Sequence, residues 1–402
     1  MCTHYRIFRR AFAFCVLLAL PVWTWAQSAL SPQAQISLLT VSKGTALYSA
    51  FGHTGLRVHD PVQNIDVVFN YGTFDFNTPN FYLKFLRGQL DYRMSAESFA
   101  DFQWVYRDLE KRGVIEQTLR LSAGQKQRLF DRLRWNYRPE NRFYRYDFFF
   151  DNCATRPRDV LETALGDSIR WGKLPDPKKT FRALLDESLL DKRWAKFGMD
   201  LVLGQKADAI ATQRQVVFLP AYLAELLRHG QIQTASGWQP IVAQEKNIIR
   251  ELPIPPDNPW PMVVSWFLFA ATLMYTIPRF HPVTMPRRRT GDGFILLAYG
   301  LAGWVMLLLW LGTDHKVTVQ NWNVLWASPL HVAFSVLLWL KPASRWVLIY
   351  SSFWLSVLVF TALSWFAIPQ HFHPAFLPLI LILFTRLLHI KQQFKDHQRL
   401  TS

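Results

Sequence analysis

The sequence predicts an α+β extracytoplasmic domain followed by a membrane domain of about five transmembrane helices. The chain has 402 residues, 50% of them hydrophobic, which excludes an intrinsically disordered protein and allows two or three domains. Residues 260–402 contain only three acidic residues and several long apolar runs, whereas residues 27–259 contain all the other acidic residues. Strand and helix patterns follow one another between residues 36 and 136. We therefore divide the chain into residues 1–26, 27–259 and 260–402.

The first 26 residues have the plan of a secretory signal peptide. A basic start with three arginines precedes an apolar run from Ala11 to Leu20, and a proline and small residues close the segment. We expect cleavage after Ala26, which places the following domain outside the cytoplasm. The alternative is that the segment remains as an uncleaved membrane anchor.

Five apolar segments in residues 260–402 approach the length of about 20 residues that a helix needs to cross a bilayer. They are predicted at residues 261–278, 292–312, 324–340, 346–367 and 374–390. The last segment is short and contains Arg386, so it is the weakest of the five. His331 lies within the third; it is either functional or hydrogen-bonded between helices, and we favour the second reading.

The basic residues between these segments predict the orientation of the chain. Ten basic residues lie in the loops and tail that would face the cytoplasm, and the opposite loops contain only Lys316. This asymmetry predicts a multi-pass protein of the bacterial inner membrane, with residues 27–259 in the periplasm and the C-terminus in the cytoplasm. The net charge of +16 is therefore largely a topological signal, and no nucleic-acid partner is predicted.

The first half of the extracytoplasmic domain combines strands with short helices. Ile36–Val41 reads as a strand, and Gly55–Val58 and Asp66–Phe69 read as a hairpin across a turn-rich stretch. Ser122 followed by Gln125 forms the sequence signature of a capping box at a helix start. Helices are predicted at residues 77–87, 97–112 and 122–136.

Cys153 is the one cysteine outside the predicted signal peptide. In an oxidising compartment a free thiol is a liability unless it is buried or used. Asn152 is a natural helix cap, and Pro157 requires the helix to begin near Thr155 or Arg156, so Cys153 lies at or just before a helix N-terminus. We expect the helix dipole to lower the pKa of this thiol, and the free N–H groups to favour a developing oxyanion.

A cysteine nucleophile requires a base, and residues 27–259 contain three histidines. His59 reads as a solvated turn residue, and His229 reads as a residue at the end of a helix. His53 is therefore the preferred base. The group that orients its imidazole stays open between Asn70, Tyr71 and Asp75.

The motifs around these residues resemble a known family. The matching blocks are Phe51-Gly-His-Thr-Gly-Leu-Arg-Val58, Phe69-Asn-Tyr-Gly-Thr-Phe-Asp-Phe76, Asn80-Phe-Tyr-Leu-Lys-Phe-Leu-Arg-Gly88 and Tyr146-Asp-Phe-Phe-Phe-Asp-Asn-Cys-Ala-Thr-Arg156. They resemble the periplasmic domain of Lnb-type lipoprotein N-acyltransferases. The membrane part is also similar, in Asn321-Trp-Asn-Val-Leu-Trp326 followed by Pro329-Leu330.

The resemblance implies a permuted papain-like (NlpC-like) fold for residues 27–259, in which the histidine strand precedes the cysteine helix. It implies a catalytic domain that uses a phospholipid as acyl donor, a Cys153 thioester as intermediate and a lipoprotein N-terminal amine as acceptor. The catalytic residues predicted in this setting are Cys153, His53, Asn70 and Tyr71. The residues predicted to bind substrate are Arg57, Asp75, Asn152 and Arg156.

Two other functions remain open at the level of sequence. One is an NlpC-type cysteine peptidase that acts on cell-wall peptides, and the other is a membrane scaffold in which Cys153 is an inert core residue. Basic and aromatic residues between Arg107 and Arg145 fit either contact with anionic headgroups or a solvated helix face. No metal ligand spacing and no phosphate-binding glycine loop is present, so no metal or cofactor is predicted.

Overall fold

The structure is a computed structural model that describes residues 29–174, 178–277, 289–342 and 344–401. The predicted signal peptide lies outside the described residues, as does most of the loop after the first predicted span. Ten strands lie before residue 250. They are β1 (Gln35–Val41), β2 (His53–Asp60), β3 (Ile65–Thr73), β4 (Asp91–Ser98), β5 (Val114–Leu119), β6 (Phe143–Arg145), β7 (Ile169–Arg170), β8 (Gln231–Thr234), β9 (Gly237–Pro240) and β10 (Val242–Ile249).

Seven of these strands form one antiparallel sheet in the order β10-β5-β1-β2-β3-β4-β6. The strands β7, β8 and β9 form a separate small sheet. Seven α-helices surround the sheets. They are α1 (Phe81–Leu86), α2 (Phe99–Trp104), α3 (Ala123–Tyr137), α4 (Thr155–Leu165), α5 (Phe181–Ser188), α6 (Arg193–Val202) and α7 (Pro220–Arg228).

The two faces of the large sheet carry different cores, because side chains alternate along a strand. On one face Leu38 and Leu56 pack with Leu129 of α3 and Leu161 of α4 in the main hydrophobic core. On the other face a smaller cluster that includes Leu39 and Val68 packs with Phe102 of α2. The start of β2 therefore lies between two packed layers.

Most of the local predictions for the first half are confirmed. The strand at residues 36–41, the hairpin and the short helix before residue 87 are present, and Ser122 and Gln125 form a complete capping box at α3. The predicted helix at 97–112 begins only at Phe99, after strand β4, and continues as a π-helical turn at Val105–Leu109. Within residues 170–255 only a helix end before His229 was predicted, and it is confirmed at Arg228; the structure also has α5, α6 and the strands β8, β9 and β10 there.

The part after residue 259 is helical. Its α-helices are α8 (Trp260–Thr276), α9 (Arg289–Leu311), α10 (Leu330–Leu340), α11 (Arg345–Leu363) and α12 (Phe376–Thr401). Three segments of the described chain are long and apolar enough to cross a membrane, namely Arg289–Leu311, Trp322–Leu340 and Arg345–Leu363. The helix Trp260–Thr276 is apolar but shorter. Each of the five predicted segments therefore coincides with a helix, and three of these meet the criteria for a span.

Several charged and polar residues inside this helical part are paired. Arg386 of α12 donates to Asp292 of α9 over 2.6 Å and to the hydroxyl of Thr276 of α8 over 2.6 Å, which joins three helices. His331 lies between the Tyr350 hydroxyl at 2.8 Å and the Trp326 carbonyl at 3.0 Å. The bonding between helices that we favoured for His331 is thus the arrangement present.

The loop after α9 docks on the strand-containing part of the chain. The backbone N–H of Gly204 donates to the Val317 carbonyl over 2.9 Å, and the side chains of Asn321 and Asn323 donate to the Leu201 carbonyl over 2.8 and 3.1 Å. Both asparagines are buried. Because unpaired buried amides cost free energy, these contacts hold the two parts in one arrangement.

We predict that Gly204→Ala disturbs this docking. A Cβ at Gly204 would lie 2.0 Å from the Val319 carbonyl oxygen, closer than backbone atoms can approach without movement. We expect a lower melting temperature and faster proteolysis near residue 204 in the purified full chain. The matched control is Gly198→Ala on α6, where a Cβ meets nothing within 4 Å and helix propensity favours alanine by about 1 kcal/mol. Equal stability of the two variants would contradict the prediction.

Candidate active site

Cys153 lies two residues before the first residue of α4, as the sequence predicted. The Asn152 side chain prepares this position, because its Oδ1 accepts from the backbone N–H groups of Ala154 and Thr155, each over 2.9 Å. Its amide nitrogen donates to the carbonyls of Phe148 and Phe218 over 2.8 and 2.7 Å. Asn152 is buried and its amide is used within the protein, so its observed role is to hold the turn that carries the thiol.

The thiol sits against the start of the β2–β3 hairpin. The backbone N–H of Thr54 hydrogen-bonds the Cys153 sulfur, and the side chain of Tyr146 lies beside it. Gly72 packs beside this contact: its φ of +91° is one that glycine adopts readily, and a Cβ there would lie 3.3 Å from the Tyr146 ring and 3.5 Å from Cys153 Cβ. The thiol is therefore placed next to the residue that follows His53.

His53 is the first residue of β2, and its ring is held by Asn70 on β3. Nε2 of His53 lies 3.0 Å from Oδ1 of Asn70. Nδ2 of Asn70 donates to Oε1 of Glu97 on β4 over 2.7 Å, which directs the amide oxygen toward the histidine. His53 Nε2 therefore carries the proton, and Nδ1 keeps the lone pair that a general base needs.

The strand register explains why Asn70, of the three open candidates, is the residue that contacts the histidine. Gly55 is opposite Asn70, so Asn70 shares a face with His53 and Tyr71 faces the other side. The Tyr71 hydroxyl accepts from Asn136 over 2.7 Å within the main core. Asp75 is exposed and its carboxylate accepts from the backbone N–H of Asn77, in the turn that follows β3.

Two arginines predicted to bind substrate are engaged with acidic and aromatic side chains. Arg57 pairs with Asp66 over 2.7 Å and with Glu116 over 3.0 Å, and its guanidinium lies 3.3 Å from the centre of the Phe99 ring. Arg156 pairs with Asp151 over 2.6 Å. Its guanidinium also lies 3.6 Å from the centre of the Tyr144 ring. Substrate contacts by these arginines stay a prediction.

The loop after α9 also reaches the segment that carries the thiol. Nζ of Lys316 lies 3.3 Å from a carboxylate oxygen of Asp147 and 5.2 Å from the centre of the Phe150 ring. Both partners belong to the turn between Tyr146 and Cys153. The candidate site therefore lies beside the helical part of the chain.

Comparison with known proteins identifies both parts of the chain. A family model described as the Lnb N-terminal periplasmic domain matches residues 22–187, and one described as the Lnb transmembrane domain matches residues 256–396. The chain belongs to the Lnb family. Searches of curated proteins and of solved structures found no match to it. Membership makes this a membrane protein with a periplasmic N-terminal domain, and it is consistent with acyltransferase activity.

The electrostatics of this Lnb-family site differ from the prediction. Burial raises the pKa of the Cys153 thiol to about 11, although the Thr54 N–H and the Arg112 cation act in the opposite direction. Burial also lowers the pKa of His53 to about 4. The predicted lowering of the thiol pKa by the helix dipole is wrong, because desolvation of the thiolate outweighs it. Near neutral pH both groups are uncharged.

Arg112 is a residue of this site that the sequence analysis missed. It is buried and donates from Nε to the Ser42 carbonyl over 2.7 Å and from Nη1 to Glu110 over 2.6 Å. Its Nη2 makes no hydrogen bond within the described residues. Because its charge influences both His53 and Cys153, Arg112 is the cation best placed to stabilise negative charge at the thiol. The signal that the sequence offered was the position of Arg112 in the basic and aromatic stretch between Arg107 and Arg145.

No group of three or more histidine, cysteine, aspartate or glutamate side chains in the described part of the chain could hold a metal ion. The side chains at the site supply a thiol, a neutral imidazole with its amide partner, and a buried guanidinium. These groups fit transfer of an acyl group through the sulfur.

We predict that the rate of Cys153 alkylation rises with pH and reaches no plateau near neutral pH. Only the thiolate reacts, and a pKa of about 11 leaves a very small thiolate fraction at pH 7, so the rate should rise roughly tenfold per pH unit between pH 7 and 10. The measurement is iodoacetamide labelling of the full chain with Cys2 and Cys15 replaced by serine, and Cys153→Ser gives the background. A pH-independent rate between pH 5 and 8 would instead indicate a thiolate–imidazolium pair and contradict the prediction.

Proposed function

We propose that this protein is a thiol acyltransferase of the bacterial inner membrane, with its catalytic domain in the periplasm and its C-terminus in the cytoplasm. It moves an acyl chain from a phospholipid, through a thioester on Cys153, to the N-terminal amine of a lipoprotein. The observation that carries the proposal is the position of the thiol. It lies beside the strand that begins at the neutral imidazole of His53, and the turn that carries it contacts Lys316 in the loop after α9. A nucleophile held beside the membrane part supports the proposal, because phospholipid esters are abundant at the membrane surface.

In the first step the sulfur of Cys153 attacks the ester carbonyl carbon of the phospholipid. Nδ1 of His53 accepts the thiol proton as the S–C bond forms, and then gives that proton to the departing alcohol oxygen of the lysophospholipid. Because both groups begin uncharged, the proton moves during attack rather than before it. Arg112 stabilises the negative charge that develops on the carbonyl oxygen.

In the second step the lipoprotein amine attacks the thioester carbonyl. His53 accepts a proton from the amine, the amide bond forms, and the thiolate that leaves recovers a proton from the imidazolium. Water competes with the amine for the thioester. Cys153 is only partly exposed, and the apolar surroundings that raise its pKa also limit the access of water, which favours transfer over hydrolysis.

We further propose the permuted papain-like arrangement and five spans for this chain. The strand that begins at His53 precedes the helix that follows Cys153, which is the permuted order. With a periplasmic domain before α8, five crossings by α8 to α12 place the C-terminus in the cytoplasm, in agreement with the distribution of basic residues. Residues 1–26, 27–259 and 260–402 remain our proposed division into signal peptide, catalytic domain and membrane domain.

The first test is intact-mass spectrometry of the full chain in nanodiscs that contain one defined phospholipid and no acceptor. We expect a hydroxylamine-sensitive mass gain of one acyl chain, absent in Cys153→Ala and blocked in His53→Ala. Addition of a lipoprotein with a free N-terminal amine should discharge the adduct to an amide, whereas an N-acetylated lipoprotein should not. No adduct on a folded protein would contradict acyl transfer. Release of free fatty acid in place of the amide would indicate a hydrolase.

The second test separates the two neighbouring candidates for orienting His53. Asn70→Ala removes the acceptor that holds the imidazole, and we expect the rate of thioester formation to fall about 10- to 100-fold. Tyr71→Phe removes only a hydroxyl in the core on the opposite face, so we expect a stability loss of about 1 kcal/mol with little change in rate. Thermal melting of both variants controls for folding. A larger rate loss in Tyr71→Phe than in Asn70→Ala would contradict the assignment.

A further inference from the structure

The short helix α1 exposes an unusual number of apolar side chains. Tyr82 is 80% exposed, Leu83 and Phe85 are each 55% exposed, and Leu86 is 44% exposed. Phe76, in the turn before the helix, is 68% exposed. Only Phe81 faces inward. A contiguous apolar surface of this kind indicates an interaction site, because soluble proteins rarely leave one open to water.

The C-terminal end of α1 is bonded to the loop that follows α9. The backbone N–H of Asp314 donates to the Arg87 carbonyl over 2.9 Å, the His315 ring lies 3.1 Å from the Leu86 carbonyl, and Gln89 donates to the Asp314 carboxylate over 3.1 Å. Gly88 has a φ of +67° and packs directly on the His315 ring. These bonds fix α1 against the membrane part.

The attachment also sets the height of α1 relative to the bilayer. The candidate span α9 ends at Leu311, and the three residues from there to Asp314 reach at most about 11 Å. The apolar surface is therefore held close to the level at which α9 leaves the membrane. Lys84 and Arg87 add positive charge beside it, which suits phospholipid headgroups.

A continuous run of aromatic contacts connects α1 with the thiol. The ring of Phe81 lies 5.9 Å from that of Phe74, which lies 5.4 Å from that of Tyr92. Tyr92 stacks on Tyr146 with ring centres 4.2 Å apart, and Tyr146 contacts Cys153. The same aromatic layer thus supports the exposed helix at one end and the candidate nucleophile at the other.

We propose that α1 is an interfacial element whose exposed side chains, with Phe76, insert into the bilayer leaflet beside the domain and deliver phospholipid acyl chains to Cys153. The delivery of acyl chains rests on the proposed function, whereas the insertion itself does not. The occupant of the surface is membrane lipid, because the surface is continuous with the contact between the domain and the membrane part. Burial of apolar side chains at a bilayer interface is the expected driving force.

The test is depth-dependent fluorescence quenching on the full chain in nanodiscs. Leu83→Cys and Leu86→Cys, one helical turn apart, are labelled with NBD in a protein whose native cysteines are replaced by serine or alanine. We expect a blue-shifted emission for both, and stronger quenching by 5-doxyl than by 12-doxyl phospholipid. The matched control is Val62→Cys, which is 65% exposed in the turn at the far end of the hairpin, roughly 23 Å of strand away from His53.

Two results together would overturn insertion. The NBD labels at positions 83 and 86 would emit at the longer wavelength of a water-exposed probe, and doxyl lipids would quench them no more than they quench the label of the Val62→Cys control. The functional arm keeps the native thiol and measures thioester formation from nanodisc phospholipid. Leu83→Glu should lower that rate about tenfold, equivalent to about 1.4 kcal/mol, and Val62→Glu should leave it unchanged. Equal rates for both variants would overturn lipid delivery. If quenching occurs but no thioester forms in the native chain, insertion stands and the proposed function fails.

Discussion

The register of β2 against β3 is the constraint on which the candidate site depends, because it decides which side chains share a face with His53. Gly55 pairs with Asn70, and a Cβ on Gly55 would lie 3.1 Å from the amide oxygen of Asn70 and 2.8 Å from Val68. Glycine is therefore required if the amide is to reach the imidazole. A slip of one residue would bring Tyr71 to this face and send Asn70 into the main core.

Burial then decides the chemistry that the assembled groups can perform. The same low-polarity surroundings keep the thiol and the imidazole neutral and strengthen the influence of the buried Arg112 cation. The proposed acyl transfer therefore requires that an ester carbonyl accept the sulfur while the imidazole accepts the proton.

The contact between the loop after α9 and the periplasmic domain connects this chemistry to the bilayer. Asn321 and Asn323 bond the chain near Leu201, Asp314 bonds the end of α1, and Lys316 contacts the turn before Cys153. One loop therefore touches three separate regions of the domain and leaves it little freedom to turn. Within the helical part, the buried pair of Arg386 and Asp292 satisfies charges that would otherwise be costly in an apolar environment.

The sequence by itself determined the features that depend on local patterns: the central hairpin, the capping box at Ser122, the helix start after Cys153 and the positions of the apolar helices. The tertiary structure alone decided the rest. Strands β4, β5 and β10 and the helices α5 and α6 were missed, because strands take much of their identity from the partners with which they pair, and tertiary context overrides local propensity in short helices. The contact between Asn70 and His53 depends on strand register. The raised thiol pKa depends on burial, and distant segments of the chain create that burial, so no local pattern records it.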